Sequence, residues 1–394
     1  MRNKRLAAVM LVWFGATGCT ARSGATVSPS AAPGASATPA PATAPQTLLE
    51  RAQLALDEGN AARAVALYGR LLTGELDDPT RRAAYPGLAR AHEELGNCRA
   101  AVRAYDGYLE RFGAETASRD VFARRGACEA EIGAWERSAA SYAAALELGS
   151  APAIDTVEWL ARQGYALFHL DRFDDADALL VAADELHERV VAEASERFAT
   201  FYFVGMARFY RAAIAHRRFR QISIRAGREE MEADYEAKLE LLLAAQDRYK
   251  AVIKVKHVFW VSAAGYQWGA LFTEFYDALM YAPVPEWLDA EERKIYFEEL
   301  KTQIRPILND AIWVFEKNLE AARKLGYDNR FVEETRAELD ALQRVLSARN
   351  DLLGQPHPPI APDARVTQDS PEYFPAADPA DIEHRLFVPA FTPL

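Results

Sequence analysis

The sequence is poor in the side chains that bind metals and carry out nucleophilic chemistry. Its 394 residues include only three cysteines and seven histidines. The histidines are dispersed, and neither His92 nor His187 has a second histidine at the spacing that a helical zinc site requires. A phosphate-binding glycine loop and a G-x-S-x-G nucleophile elbow are also missing. We therefore predict a protein that is not an enzyme, with no metal, cofactor or small-molecule substrate.

The chain also has fewer basic residues than acidic ones. The chain carries 57 acidic residues against 46 Lys and Arg, which gives a formal charge of −11. Nucleic acids and anionic membranes attract basic surfaces, so the acidic excess argues against nucleic acid as a partner. A local basic cluster is compatible with either a solvated helix end or a docking site for an acidic loop: His216, Arg217, Arg218, Arg220, Arg225 and Arg228.

The apolar run near the N-terminus, from Leu6 to about Ala16, is too short to span a bilayer comfortably. It follows a basic start and precedes small residues, which is the form of an export signal. We predict a signal peptide over residues 1–18. Its removal would take away three basic residues and lower the formal charge from −11 to −14.

The motif Ala16-Thr17-Gly18-Cys19 resembles a bacterial lipobox. The resemblance implies that Cys19 becomes the lipidated first residue of the mature chain, with palmitate-type acyl chains; an unmodified cysteine is the alternative. Residue 20 is not aspartate, which favours the outer membrane over retention in the inner membrane. We expect an outer-membrane lipoprotein that faces the periplasm.

Two segments cannot build a core because of their composition. Residues 20–46 are almost all Ser, Thr, Ala, Pro or Gly, so we predict a disordered linker over 19–46. Residues 354–394 contain nine prolines among scattered aromatic residues, which predicts an extended, Pro-rich tail over 351–394. The tail either stays disordered or docks locally on the fold or on a partner.

Four turn-forming residues, the turn markers, recur along the first half of the chain. Gly59, Gly96, Gly133 and Asp171 stand 37, 37 and 38 residues apart. Each is followed by a small residue after five positions and a large one after nine: Ala64, Ala101, Ser138 and Ala176, then Tyr68, Tyr105, Tyr142 and Leu180. A period of this length indicates stacked helical hairpins.

Each turn marker must close one helix and let the chain begin an antiparallel one. Glycine adopts the required left-handed backbone without strain, and aspartate tolerates it better than most residues. Seven positions upstream, a small residue lets two helices approach closely: Ala52, Ala89, Gly126 and Gly164. We predict an all-α fold in which four antiparallel helical hairpins over residues 47–190 stack into a solenoid.

This pattern resembles the tetratricopeptide repeat (TPR) family, which has a small residue before the turn, glycine at the turn, then alanine and a large aromatic. The resemblance covers residues 47–190 and implies a surface that holds other proteins. The repeats are about three or four residues longer than usual, and Ser138 replaces an alanine. The proline that ends each repeat appears only loosely, as Pro79 and Pro152.

After about residue 190 the helices become longer and less regular, and we predict extended, divergent helical repeats and a cap over 191–350. Helices are expected near 195–224, 229–256, 259–281, 289–325 and 330–348. Pro283 and Pro285 stop the third of these, Asp289 with Glu292 caps the fourth, and a kink is expected at Pro306.

Residues 240–335 carry a second resemblance. The segments YKAVIK, AAGYQWGALFTEFYDAL, APVPEWL and EKNLEAARKLGYDN occur in this order. They resemble the C-terminal half of the TPR lipoproteins of the Agl/Glt gliding machinery of myxobacteria, which implies a non-catalytic scaffold whose partners are other envelope or motility-complex proteins. The alternatives are a pilotin-like or outer-membrane assembly helper and, in another class, a cell-wall hydrolase or its activator.

The candidate partner-binding surface is the inner face formed by the first helices of the repeats. Its candidate residues are Glu158, Ala161, Tyr165, Phe168 and His169 in repeat four, expected opposite the packing residues, and Arg90, Glu93 and Glu94 in repeat two. Aromatic side chains could hold a peptide, and the charged side chains could select a peptide of complementary charge. Ordinary solvent-facing helix surface is the alternative.

Two cysteines remain once Cys19 carries lipid. Cys98 begins the second helix of one repeat and Cys128 lies late in the first helix of the next, so antiparallel packing brings them to a similar level. A disulfide and two separate buried thiols are both compatible with this placement.

Overall fold

A computed structural model describes residues 47–149, 151–193, 197–198, 200–280, 282–285 and 287–349. The predicted signal peptide, the lipidation site Cys19, the linker 19–46 and the tail 351–394 lie outside these described residues. Within them the chain forms thirteen α-helices and one short 3-10 helix at Ala114–Thr116, without a β-strand. The predicted all-α class is confirmed.

The helices follow one another with short connections in the first half of the chain and become longer in the second. Their bounds are α1 Leu48–Asp57, α2 Ala61–Leu72, α3 Asp78–Glu94, α4 Cys98–Phe112, α5 Arg119–Glu131, α6 Trp135–Glu147, α7 Ala153–His169, α8 Phe173–Glu193, α9 Tyr202–Gln221, α10 Arg228–Ile253, α11 Val258–Met280, α12 Ala290–Leu325 and α13 Arg330–Arg349.

The first eight helices form four hairpins. Helices α1 and α2, α3 and α4, α5 and α6, and α7 and α8 pack in pairs, and each second helix packs on the first helix of the next pair. This pattern of neighbour contacts is that of a helical-hairpin solenoid, and the fold is TPR-like.

The turn markers adopt the backbone conformation that the sequence predicts. Their φ angles are 71° at Gly59, 66° at Gly96, 74° at Gly133 and 55° at Asp171. In the first two turns the following asparagine caps the next helix, since Asn60 accepts from the amide of Arg63 and Asn97 from that of Ala100, both at 3.2 Å. The prediction of left-handed turns, including the aspartate, is confirmed.

The small and large residues that follow each turn marker form the interior of each hairpin. All eight are at most 1 % exposed. A Cβ at Gly126 would lie 3.1 Å from the Tyr142 ring, and a Cβ at Gly164 would lie 2.7 Å from Cγ of Leu180. Glycine at these two positions therefore makes room for the large residue of its own repeat. Ser138 fits in place of alanine because its hydroxyl donates to the carbonyl of Gly126 at 2.8 Å.

The second half continues the stacking with larger hairpins. Helix α9 pairs with α10 and α11 with α12, while α13 packs on both α11 and α12. The predicted start of the ninth helix near residue 195 is wrong, because α8 extends to Glu193 and α9 begins only at Tyr202. Helix α12 starts at the predicted capping box of Asp289 and Glu292, continues through Pro306 and ends at left-handed Gly326.

Helix α11 lies at the centre of the second half. Trp260 and Tyr266 are fully buried among rings from α9, α12 and α13. Although α11 is apolar, none of the described helices combines the length and hydropathy needed to cross a membrane.

Candidate partner-binding cleft

An open cleft of about 700 Å³ lies between the first helices of repeats three and four. Its walls are the N-terminal turns of α5 and α7, together with the connection that leads from α6 into α7. Ser118 caps α5 by accepting from the amide of Val121, and Pro152 stands at the N-cap of α7. Both helices therefore begin at the cleft, and their first-turn carboxylates, Asp120 and Asp155, line it.

The connection between α6 and α7 is held in place by Arg119. Its guanidinium Nη2 donates to the carbonyl oxygen of Leu148 at 2.7 Å, across the cleft from the start of α7. This bond satisfies a carbonyl at the C-terminal end of α6. Arg119 thus acts as a structural clamp on one edge of the cleft.

Arg124 joins the cleft wall to the preceding repeat. Its Nε donates to Asp120 at 3.0 Å, and its Nη1 donates to Oε2 of Glu93 on α3 at 2.6 Å. The Tyr105 hydroxyl of α4 donates to the other oxygen of Glu93 at 2.6 Å. Burial raises the pKa of Glu93, although Tyr105 and Arg124 act in the opposite direction. Three helices therefore meet at one carboxylate.

The remaining carboxylates of the cleft belong to α7. Glu158 accepts from Nε of Arg162 at 2.8 Å, within its own helix. Among the described residues no ion pair involves Asp155, whose side chain is partly exposed on the cleft wall. The partly exposed apolar residues of the wall are Ala123 and Ala151, while Trp159 and Ala127 line the cleft but are buried. In the described part of the chain, the cleft thus combines a limited apolar surface with one carboxylate, Asp155, that has no ion-pair partner.

The expected open aromatic face of repeat four is wrong for three of its members. Ala161, Tyr165 and Phe168 are at most 3 % exposed and belong to the core. Tyr165 packs edge-on against Trp135 of α6 at 5.4 Å and in a tilted arrangement against Tyr210 of α9 at 4.8 Å. The reason is that α7 contacts α6, α8 and α9 at once, so that little of its circumference faces solvent.

His169, at the end of α7, is partly exposed and stacks on Trp135 with ring centroids 4.0 Å apart. In repeat two, Arg90 and Glu94 are exposed on α3, as expected, whereas Glu93 is the buried junction described above. None of these four residues lines the cleft; of the candidate residues, only Glu158 does.

Three cleft residues were not among the candidates predicted from the sequence: Arg119, Asp155 and Trp159. Local signals for the two helix starts were present, namely Ser118 before α5 and Pro152 before α7. To predict that the two helix starts lie side by side, the alignment of one repeat against the next must be known. The length of the repeat alone does not give this alignment.

The basic cluster near the end of α9 is neither a free helix end nor an open docking site. Its members pair with acidic residues of neighbouring elements: Arg217 with Asp171, Arg218 with Asp174, Arg220 with Glu274, and Arg225 with Asp234. Arg228 lies over the Trp287 ring at 5.6 Å. The sixth member, His216, is buried.

His216 belongs to a buried polar network between α9, α10 and α11. Its Nε2 lies 3.0 Å from Oε2 of Glu274, and its Nδ1 lies 3.0 Å from the hydroxyl of Tyr249. Arg220 donates to both oxygens of Glu274, at 2.8 and 2.7 Å. Burial lowers the pKa of His216 to about 4. Burial opposes the charge on Glu274, yet Arg220 and His216 hold its pKa well below the usual range.

These protonation states assign the hydrogen bonds of the network. An ionised Glu274 only accepts, so Nε2 of neutral His216 carries the hydrogen and Nδ1 accepts from Tyr249. The neutral His216 ring is hydrogen-bonded through both of its nitrogens, and these bonds fix the relative positions of three helices. In the described part of the chain, no group of three or more His, Cys, Asp or Glu residues is arranged to hold a metal ion.

The class of protein that the fold defines is a TPR-like helical-repeat protein. No protein-family model matches the sequence, and no curated protein matches it either. The chain is similar in structure to a tetratricopeptide repeat protein from Parabacteroides merdae, with 16% identity, 75% of this chain and 97% of the other covered, and a TM-score of 0.35.

Two further solved structures are similar to this chain. A TPR repeats protein from Bacteroides fragilis has 13% identity, covers 68% of this chain and 98% of its own length, and has a TM-score of 0.30. The C-terminal part of a TPR repeat-containing protein from Cytophaga hutchinsonii has 15% identity, with 73% and 98% covered and a TM-score of 0.29.

Proposed function

We propose that this protein is a non-catalytic scaffold that holds a segment of another protein in the cleft between α5 and α7. The observation that carries the proposal is the cleft itself. It has a volume of about 700 Å³, a frame formed by two helix starts, and both apolar and charged lining residues. A few apolar anchors in a pocket with a charged rim is the usual composition of a protein recognition site.

The charges of the cleft favour a partner segment with a cationic side chain. Arg119 already donates to the carbonyl of Leu148, and Arg124 is held by Asp120 and Glu93. Asp155 has no cationic partner among the described residues, so a lysine or arginine of the bound segment would complete the ion pairing of the cleft. Complementary charge mainly selects the partner and speeds its association.

In this proposal the scaffold is located at the periplasmic face of the outer membrane. The lipobox-like motif that ends at Cys19 supports a lipid anchor there, with the linker 20–46 as a tether. A tether of this composition would reach on the order of 30 Å. The segments within residues 240–335 support a place in an envelope-spanning complex, and we propose the gliding-motility machinery.

Photo-crosslinking in cells tests the cleft. A photoreactive amino acid at Ala151, on the cleft wall, should form adducts with an envelope protein, and Asp155→Asn should reduce their yield at least about fivefold. Glu136→Gln is the matched control because Glu136 is an exposed first-turn carboxylate of α6 outside the cleft. Equal adduct yields in the two variants would contradict a role for the cleft carboxylate.

Two further measurements test the cellular location of the protein and its role in gliding motility. Cys19→Ser should yield an unacylated chain that leaves the membrane fraction, as shown by intact mass and fractionation. Deletion of the protein should abolish gliding while secretin and barrel assembly remain normal. Unchanged mass in the variant would exclude the lipid anchor, and normal gliding with a lost channel would point to the assembly-helper alternative.

A further inference from the structure

Two cysteines from neighbouring repeats lie in one packed cluster beside the candidate cleft. Cys98 is the first residue of α4, and Cys128 lies in α5, which forms one wall of the cleft. Cys98 packs against the buried apolar cluster that contains Cys128. Cys128 is fully buried, whereas Cys98 is partly exposed.

We propose that Cys98 and Cys128 form an intramolecular disulfide that joins the second repeat to the third and fixes α5 relative to α4. Antiparallel packing places the two side chains at the same level of the stack, and helices α4 and α5 are in direct contact. Because both side chains belong to one packed cluster, bond formation requires only a local approach of the two sulfur atoms.

The two cysteines have different parts in bond formation. Only Cys98 is accessible to an oxidant, and it stands at the N-terminus of a helix, where backbone amides stabilise a thiolate. The hydrogen bond from Cys128 lowers the pKa of Cys98, although burial and the carboxylates of Glu131 and Glu93 oppose this. Cys98 is thus the attacking thiol and Cys128 the resolving thiol.

The reaction needs a disulfide oxidant, such as oxidised glutathione or a thiol oxidase. The Cys98 thiolate attacks one sulfur of the oxidant, and a mixed disulfide forms as one thiolate leaves. The released thiolate takes the proton of Cys128, the sulfur of Cys128 then attacks the sulfur of Cys98, and the second thiolate of the oxidant leaves and is protonated. Two protein thiols are oxidised, the oxidant's disulfide is reduced to two thiols, and no other reactant is required.

The crosslink would close a loop of about 30 residues and restrict opening between repeats two and three. The same junction contains the Glu93, Tyr105 and Arg124 bonds that hold the cleft wall. In cells the bond requires an oxidising compartment, and to that extent the inference rests on the proposed periplasmic location. The bond itself can be tested without a membrane or a partner.

The test uses the purified mature chain with Cys19→Ser, equilibrated in glutathione buffers of increasing oxidation and then alkylated. We expect a mass lower by about 2 Da, no alkylated cysteine, and one non-reduced peptide pair that contains both Cys98 and Cys128. Reduction should lower Tm by about 5 °C. Cys98→Ser and Cys128→Ser should each abolish the response of Tm to oxidation.

Full alkylation of both thiols after oxidation, with no crosslinked peptide, would overturn the inference, and this outcome needs only the chain with both thiols intact. The same trapping is then done on cells before lysis. A disulfide in the purified chain but free thiols in cells would overturn the oxidising location instead. Loss of partner adducts with an intact disulfide would refute the proposed cleft function alone.

Discussion

Both halves of the fold contain ion pairs in their interiors, at Glu129 in the repeats and at Glu274 in the second half, but only the four repeats add a steric device that recurs. In the repeats, left-handed turns set the direction of each hairpin, and a small residue facing a large one sets its spacing. In the second half, an ion network of Arg220, Glu274 and His216 lies inside the core. The Asn318 amide similarly donates to the carbonyl of Ser262 at 3.1 Å and to the hydroxyl of Thr335 at 2.9 Å.

The difference predicts different responses to mutation. Each repeat contacts only its neighbours, and its packing pairs lie within one hairpin, so that damage should stay local. The ion network joins α9, α10 and α11, and loss of one member leaves other charges buried without a partner. Substitutions of the packing pairs in the repeats and of the ion network in the second half therefore compare steric fit with buried charge as contributions to stability.

The largest effect is expected at Glu274. Replacement by alanine leaves the Arg220 guanidinium and the His216 ring without their acceptor, which should cost about 3–5 kcal/mol of unfolding free energy. Urea denaturation of the purified chain measures this. Asp78→Ala is the matched control, because its ion pair with Arg111 in the repeats is largely exposed and is worth about 0.5 kcal/mol. A cost below about 1 kcal/mol at Glu274 would show that the network does not hold the second half together.

The repeats could be predicted from the sequence because their signals are local. Each turn marker has a small residue seven positions before it and a large residue nine positions after it. This set recurs at a nearly fixed spacing, so each residue identifies its own place in the hairpin. The network around Glu274 gives no such signal, since its partners are 54 and 58 residues away. From the sequence, Arg220 and its neighbours were a basic cluster on one helix.

The cleft could be predicted only in part for the same reason. The cleft lies between first helices of two repeats, on which the candidate surface was predicted, but Tyr165 was placed on the open side of α7 and lies in the core. Hydrophobic periodicity predicts one buried face, and it fails for a helix that three neighbours cover. Asp155 and Trp159 became visible as cleft residues only once α5 and α7 were placed side by side.

A smaller effect is expected from glycine substitutions in the repeats. Gly164→Ala places a Cβ 2.7 Å from Cγ of buried Leu180, and this overpacking should cost about 1–3 kcal/mol. Gly69→Ala is the control within α2, because no atom lies within 4 Å of its new Cβ, and helix propensity should then stabilise by about 0.5–1 kcal/mol. Denaturant titrations measure the unfolding free energy of both variants. If both substitutions stabilise the protein, the interior of the repeat can accommodate an added methyl group.

Between pH 7 and pH 5 the largest contribution to the pH dependence of stability should come from His216 in the second half. The pKa of His216 is about 4 in the fold against 6.5 in the unfolded chain, so the unfolded state binds more protons between these values. Stability must therefore fall as pH is lowered through this window, by about 2 kcal/mol between pH 7 and pH 5. Urea denaturation of the wild type and of His216→Gln across this range isolates the contribution. Parallel curves for the two proteins would exclude His216 as its source.

The smallest effect is expected from exchanging the turn markers. Asp171 has a φ of 55° and Gly96 one of 66°, so the two positions make the same backbone demand with different residues. Asp171→Gly should stabilise by about 0.5–1 kcal/mol, because relief of left-handed strain exceeds the loss of the exposed 3.8 Å contact with Arg217. Gly96→Asp should destabilise by a similar amount, since no atom lies within 4 Å of the new Cβ and strain alone acts. If Asp171→Gly instead destabilises by more than about 1 kcal/mol, the aspartate side chain has a role at the junction with α9, and the fourth repeat already depends on charge as the second half does.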